Sequence, residues 1–250
     1  MYLQLKLILR RLLPVRFLYF LEPVIRKSLY IFYLGNGYQC NLCGAKLRRF
    51  ILLENNERLC PSCGSLPRTR RIYRILQDGW LTPGVRILDF SPSRSLFRKL
   101  KNKASIEYVA SDLSGDFLAE KKYDITQIET NDASFDLIIC YHVLEHIPDD
   151  QKAIQELYRV LKQGGKCFIQ TPFKEGDIYE NSSITAPDER LKHFGQEDHV
   201  RIYSVTGLVK RLERSGFQVK ILSFEEERNN SNGFSEKEVV LVCKKSSLKL

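Results

Sequence analysis

The chain has 250 residues, of which 43% are hydrophobic, 28% charged and 11% aromatic. This length and apolar content suit one large domain, or an ordinary domain with a small module, and exclude a disordered or fibrous chain. The formal charge of +9 is uneven: residues 1–80 hold 14 Lys and Arg against 4 acids, leaving 25 against 26 for residues 81–250. Any attraction for an acidic partner therefore resides in the N-terminal third.

The first segment, residues 1–34, sets Lys6, Arg10, Arg11, Arg16, Arg26 and Lys27 and one acid, Glu22, among Leu, Ile, Phe and Tyr. A spanning helix needs about 20 predominantly apolar residues, and charges interrupt every such window. Neither an uninterrupted apolar core nor a small-residue cleavage site marks a signal peptide. Pro14 and Pro23 divide the pattern into two short basic amphipathic helices, the second opening at Pro23. Such helices suit the surface of an anionic membrane, or docking of their apolar faces on the protein itself or on a partner. The expected location is the cytoplasm, with peripheral attachment at the cytoplasmic membrane face as its variant.

The second segment, residues 35–79, carries two C-x-x-C-G knuckles, Cys40-Asn-Leu-Cys43-Gly44 and Cys60-Pro-Ser-Cys63-Gly64, with 16 residues between them. This is the spacing of a four-cysteine zinc site. Two residues between cysteines let both sulfurs face one ion, and the glycine after each pair permits the tight turn. A closed S4 site leaves no position for water, so the expected zinc is structural and substitutes for a core that about 40 residues cannot build. Disulfides, which call for an oxidising compartment, and an iron–sulfur centre are the competing readings of the four cysteines. The remaining cysteines, Cys140, Cys167 and Cys243, lie in apolar runs and read as core thiols. Arg48, Arg49, Arg58, Arg68, Arg70, Arg71 and Arg74 surround the knuckles. They suit phosphate groups on nucleic acid or lipid, or simply a solvated face, and stacking aromatics are sparse.

The third segment, residues 80–250, alternates apolar strand runs with helical periodicity, which predicts a mostly parallel α/β sheet. Strands read at VRILDF, IEYVAS, FDLIICYH, KCFIQT, FQVKILSF and EVVLVC. The last two have hairpin spacing and are expected antiparallel. After His146, the acids Asp149 and Asp150 suit a first helical turn, Ala153, Ile154, Leu157, Tyr158 and Leu161 an apolar stripe, and Gly164 a stop.

ASDLSGDF, YDIT, SFDLIICYHVLEHIPDD and ELYRVLKQGGKCFIQTP follow one another in an order and spacing that resembles class I S-adenosylmethionine-dependent methyltransferases of the methyltransferase domain 11 type. The resemblance covers residues 85–245. With the cysteine ribbon and the late HFGQEDHVRIYS segment it extends to a bacterial subgroup over nearly the whole chain. It implies a Rossmann-like sheet behind a small N-terminal zinc ribbon, with S-adenosylmethionine and zinc as cofactors.

By that resemblance Asp112, ending the second strand, accepts hydrogen bonds from both ribose hydroxyls, and Asp124 and Ile125 lie beside the adenine. Asp89, Ser91 and Ser93 in the first-strand loop, and Tyr141 and His142 after the third strand, complete the cofactor site. The loop Asp89-Phe90-Ser91-Pro92-Ser93 departs from the family in having no glycine, and Pro92 offers no donor. Ser93 is expected to cap the next helix.

His142, Glu145 and His146 spell H-x-x-E-H, an inverted zinc-protease pattern, but they follow a strand rather than lie on a long helix. Related RNA and quinone-precursor methyltransferases bind Mg²⁺ through E-x-x-E-H here. With His142 replacing the first Glu, the preferred expectation is that Glu145 and His146 hold the loop by hydrogen bonding and packing while His142 faces the methyl group. His193 and His199 fall in the insertion that builds the substrate lid, and His199 is expected as a base. Gln196, Asp198, His199 and Arg201 favour a polar acceptor, such as a saccharide, a lipid-linked glycan or a small metabolite. A catalytically silent ribbon scaffold and RNA methylation guided by the basic ribbon are the alternatives.

Overall fold

A computed structural model describes residues 15–246; the first N-terminal helix expected, on residues 1–14, lies outside them. The chain divides into two compact units, Met1–Asp78 with Glu226–Glu236, and Gly79–Glu225 with Lys237–Leu250.

In the first unit, α1 (Val15–Tyr30) runs through Pro23 instead of opening there. The ring removes one backbone donor, and the Glu22 to Arg26 ion pair, 2.9 Å long, spans the same turn. Short antiparallel pairs follow, β1 (Leu34–Gln39) with β2 (Lys46–Leu47) and β3 (Ile51–Leu52) with β4 (Arg58–Leu59). α2 (Pro67–Gln77) begins on a proline whose fixed φ suits a first helical position. It buries Ile72, Tyr73, Ile75 and Leu76 together with Arg70 and Arg71. The charged segment 226–236 joins this unit: Gln39 N donates to Ser231 O at 2.9 Å, Asn232 Nδ2 to Gln39 O at 2.7 Å, and Arg71 pairs with Glu227 at 3.0 Å.

The second unit is built on one sheet. Its first strand β5 (Arg86–Phe90) leads to α3 (Arg94–Lys101), capped by the Ser93 hydroxyl as expected, and to β6 (Glu107–Ser111). Next come β7 (Phe135–Tyr141), α4 (Asp150–Val160) and β8 (Leu161–Gln170). The helix therefore ends before Gly164, and β8 starts earlier than its apolar run. An insertion follows, with β9 (Phe173–Lys174), β10 (Tyr179–Glu180), α5 (Pro187–Phe194) and β11 (Arg201–Ser204). α6 (Val205–Arg214), β12 (Phe217–Phe224) and β13 (Glu238–Lys245) complete the unit.

The strand order is β12-β13-β8-β7-β5-β6. β6, β5, β7 and β8 are parallel, β13 is antiparallel to β8, and β12 is antiparallel to β13. All six strands and the terminal hairpin expected from the sequence are present. The chain steps from β5 outward to β6 and then returns to β7 on the other side of β5, so the order reverses there. In open α/β sheets that reversal opens a crevice beyond the carboxyl ends of the strands. The core beneath it gathers Leu88, Phe90, Ile138, Cys140, Ile154, Leu157, Cys167, Ile169 and Leu241. Cys140, Cys167 and Cys243 are core thiols as expected, each fully buried.

Burial pushes the Asp89 carboxyl up to about 7, and the Tyr108 hydroxyl, which donates to it at 2.7 Å, offsets only part of that rise. A carboxyl whose folded value lies above its unfolded value of about 3.9 holds its proton in the folded state first. Its contribution is complete below about pH 4 and is lost as pH rises towards 7. The stability difference between Asp89→Asn and wild type should therefore shift in favour of the variant by about 4 kcal/mol between these limits, measured by urea unfolding at each pH. Parallel pH profiles would contradict the assignment.

Candidate cofactor crevice and metal centre

The cysteine knuckles are near copies of each other. Gly44 N donates to Cys40 O at 2.7 Å and Gly64 N to Cys60 O at 2.9 Å, while Cys40 N and Cys60 N each donate 2.9 Å to Ala45 O and Ser65 O. Gly44 and Gly64 take φ of 78° and 76°, a left-handed conformation that a side chain resists. Gly64 has a second reason to be bare, because a Cβ there would sit 2.6 Å from the Arg26 guanidinium carbon.

Zinc–sulfur bonds of about 2.3 Å set tetrahedral edges of roughly 3.8 Å. The Cys40–Cys63 and Cys43–Cys60 sulfurs are both 3.8 Å apart, and all four lie within 4.8 Å of one another. Hydrogen bonds from the neighbouring thiols, Cys43 first, hold the Cys40 thiol well below its ordinary value. These residues fit a structural zinc ion.

The charge of the four thiolates also favours a buried guanidinium at Arg70. Arg70 is fully buried, donates to Ser65 O at 2.6 Å and to Arg58 O at 2.9 Å, also reaches Gly233 O, and stacks 4.3 Å from the Phe50 ring. Arg71 stacks 3.8 Å from Phe234. Two of the arginines that a nucleic-acid reading would use are thus turned inward, whereas Arg48, Arg49 and Arg74 are exposed.

In the second unit the carboxyl ends of β5, β6, β7 and β8 carry the residues singled out from the sequence. Ser91 and His142 follow adjacent strands, β5 and β7, and both have positive φ, 47° and 54°. Such a backbone costs about 1–3 kcal/mol at a non-glycine residue and collects at functional sites. Ser91 therefore keeps the turn shape that a glycine would supply. Its hydroxyl donates to Asp112 Oδ1 at 2.9 Å, and the Ser114 hydroxyl donates to Oδ2 at 2.9 Å. Gly115 N reaches the same Oδ2 at 2.6 Å.

The other residues are placed as follows. Asp89 is turned to Tyr108 and buried. Asp124 is exposed, and its Oδ1 accepts from Thr126 N and Oγ1, both at 2.8 Å, which lowers its pKa. Ile125 packs in the core. Tyr141 ends β7 and is half-buried. The 128–130 loop beyond them is held by α4, Glu156 accepting from Ile128 N at 2.7 Å and Arg159 donating to Thr130 O at 2.9 Å. Thr171, which the sequence reading passed over, follows β8 as Ser91 follows β5; its buried hydroxyl has no hydrogen-bond partner.

The two insertion histidines separate. His193 is exposed, with Nδ1 2.6 Å from the Tyr179 hydroxyl. His199 is 3% exposed, its ring 4.6 Å from that of His146. Arg201 is buried and donates to Leu144 O at 3.3 Å and to Pro148 O at 2.8 Å. In the loop after β7, His142 Nδ1 lies 3.2 Å from Glu145 Oε1 and His146 Nδ1 lies 3.1 Å from Asp198 Oδ2. Glu145 O accepts from Val200 N at 2.9 Å, and its Oε2 has no hydrogen-bond partner.

A family model described as "Methyltransferase domain" matches residues 45–220. A ubiquinone biosynthesis O-methyltransferase of Coxiella burnetii is 31% identical over 152 residues, 58% of this chain and 59% of that protein. The chain thus spans about three fifths of that relative's length. Among solved structures, a methyltransferase from Archaeoglobus fulgidus aligns with a TM-score of 0.50 at 20% identity, covering 71% of this chain and 93% of its own. A Haemonchus contortus phosphoethanolamine N-methyltransferase, in complex with phosphomonomethylethanolamine and S-adenosylhomocysteine, aligns with a TM-score of 0.52 at 15% identity, covering 71% and 52%. At these identities the structural likeness shows the fold.

Removing a thiolate from the ribbon should remove its ion. Purified protein should carry one tightly held zinc per chain by elemental analysis, Cys40→Ser should lose it together with several kcal/mol of stability, and Cys243→Ala should keep it. Full zinc retention in Cys40→Ser would refute the four-sulfur site.

Proposed function

The chain belongs to the methyltransferase domain family, and from that premise we propose that it transfers a methyl group from S-adenosylmethionine to a polar oxygen or nitrogen acceptor. When bound, the sulfonium supplies an already activated methyl, so the protein contributes alignment and desolvation. The observation that carries this reading is the cluster at the sheet's reversal, where Ser91, Asp112, His142 and Thr171 stand at neighbouring strand ends.

Asp112 has the properties of a ribose receptor. A serine hydroxyl rests on each carboxylate oxygen, so the vicinal hydroxyls of a ribose replace like with like. The Thr171 hydroxyl and His142 Nε2, both buried and without a hydrogen-bond partner, have capacity left for a ligand. Phe90 is taken up by the core and does not compete for this space. Asp124 and Ile125 flank the adenine end in this reading, and His142 lies towards the transferred methyl.

An oxygen acceptor on a saccharide, a lipid-linked glycan or a small metabolite fits best. The Coxiella relative is named for O-methylation, and the exposed Gln196 and Asp198 of the insertion are polar. Peripheral attachment to anionic membrane draws support from α1 and the residues after it. Phe20, Val24 and Phe32 are 77%, 62% and 70% exposed, beside the exposed Lys27. No described helix is long and apolar enough to cross a membrane.

Calorimetry with S-adenosylhomocysteine tests the cofactor site. Wild type should bind, and Asp112→Ala should bind roughly ten- to hundredfold more weakly, as expected for hydrogen bonds to a charged group. Absence of both heat and thermal shift at millimolar ligand would favour the silent scaffold. Separately, wild type should sediment with phosphatidylserine vesicles, and the Phe20→Asp/Phe32→Asp double variant should not; equal sedimentation would remove the membrane reading.

A further inference from the structure

The face of the sheet that carries Ile87, Leu137 and Phe168 continues into a cluster of like charge. Across three neighbouring strands, Lys166 of β8 stands directly opposite Lys244 of β13. Lys244 in turn stands opposite Gln218 of β12, and Lys220 lies two residues further along the same face. Directly opposite side chains start about 4.5–5.5 Å apart and diagonal ones about 7–8 Å, and like charges placed opposite one another are destabilising. Among the described residues, none of the three lysines pairs with a carboxylate.

Protection of a sheet edge explains one of them. β12 is an outer strand, where a lysine such as Lys220 guards against pairing with another chain. β8 and β13 have neighbours on both sides, so Lys166 and Lys244 have no edge to guard. The Lys166 ammonium instead rests 3.8 Å from the centre of the Trp80 ring, and Trp80 packs edge-on against Phe168 with centroids 5.9 Å apart. An indole steadies a cation without neutralising it. Burial first, then the charges of Lys244 and Lys220, holds the Lys166 ammonium below its ordinary pKa, the direction opposite to that of a lysine with an anionic partner.

We propose that Lys166, Lys220 and Lys244 bind a phosphate group, with the Trp80 indole as the wall of the site. Three ammonium groups gathered on one face suit a single compact anion, which relieves their mutual repulsion. Each lysine offers three donors and meets phosphate as a point charge. The site is separate from the cofactor crevice. Lys166 comes four residues before Gln170, where β8 ends, about 13 Å along the strand. The phosphate held here is therefore not the group that meets the transferred methyl, and the inference goes beyond methyl transfer.

Trp80 is the chain's one tryptophan, so its emission reports this site in the full chain. Pyrophosphate, used as the probe, should change that emission saturably at fixed ionic strength, and sodium chloride alone should not. By calorimetry, Lys166→Gln and Lys244→Gln should each bind pyrophosphate roughly ten- to hundredfold more weakly. Both should bind S-adenosylhomocysteine as wild type does, which reports the cofactor site independently. Because the lysines repel one another, Lys244→Gln without ligand should melt no lower than wild type.

The source of the phosphate is read from a second arm, vesicles of phosphatidic acid added to the Phe20→Asp/Phe32→Asp variant so that α1 does not contribute. A response to pyrophosphate assigns a soluble phosphate, and a response to the vesicles alone assigns a lipid headgroup. No response to either, a response that sodium chloride reproduces, or unchanged binding in both lysine variants would each overturn the inference. So would a lower melting temperature for Lys244→Gln, which would mark the cluster as structural.

Discussion

Arg201 takes its guanidinium into the interior of the second unit and donates to three backbone carbonyls, those of Leu144, Ile147 and Pro148. Its Nε donates to Glu180 at 2.9 Å. The carbonyls belong to the loop that leaves the sheet's reversal point, and Arg201 itself begins β11 of the insertion. Hydrogen bonds from a charged donor are worth about 1.5–3 kcal/mol each, so this one residue fastens two segments more than 50 residues apart in sequence. Everything chemically distinctive about the loop, including the strained His142 and the buried Glu145, depends on that fastening.

The parallel sheet supplies the other half of the geometry. Parallel strands end side by side, so the residues after β5, β6, β7 and β8 collect at one edge whatever their separation along the chain. Two of them, Ser91 and His142, hold left-handed backbone without being glycine. A glycine-free turn is thus compatible with the crevice: the backbone shape is kept, and the serine hydroxyl is added on Asp112.

Taken by itself, the cysteine unit follows a different logic. It buries a small apolar set, Leu42, Leu47, Phe50, Leu59, Ile72 and Leu76, and the four-sulfur centre adds to it. The sulfurs bring negative charge indoors, which accounts for fully buried Arg70 stacked on Phe50. A basic composition therefore need not mean a basic surface: part of the positive charge in this segment faces the unit's own interior.

The sequence determined whatever depends on near neighbours. Two cysteine pairs with following glycines define a zinc knuckle within a few residues, continuous apolar runs define the strands, and Ser93 announces the start of α3, because each rests on residues close along the chain. It misjudged Pro23, where a helix tolerates one missing donor. Tertiary structure alone decided that His199 rather than His193 meets His146, that Arg70 and Arg71 turn inward, and that residues 226–236 belong with the cysteines. Those outcomes turn on which groups meet across tens to hundreds of residues, and no local periodicity encodes the direction in which a packed side chain points.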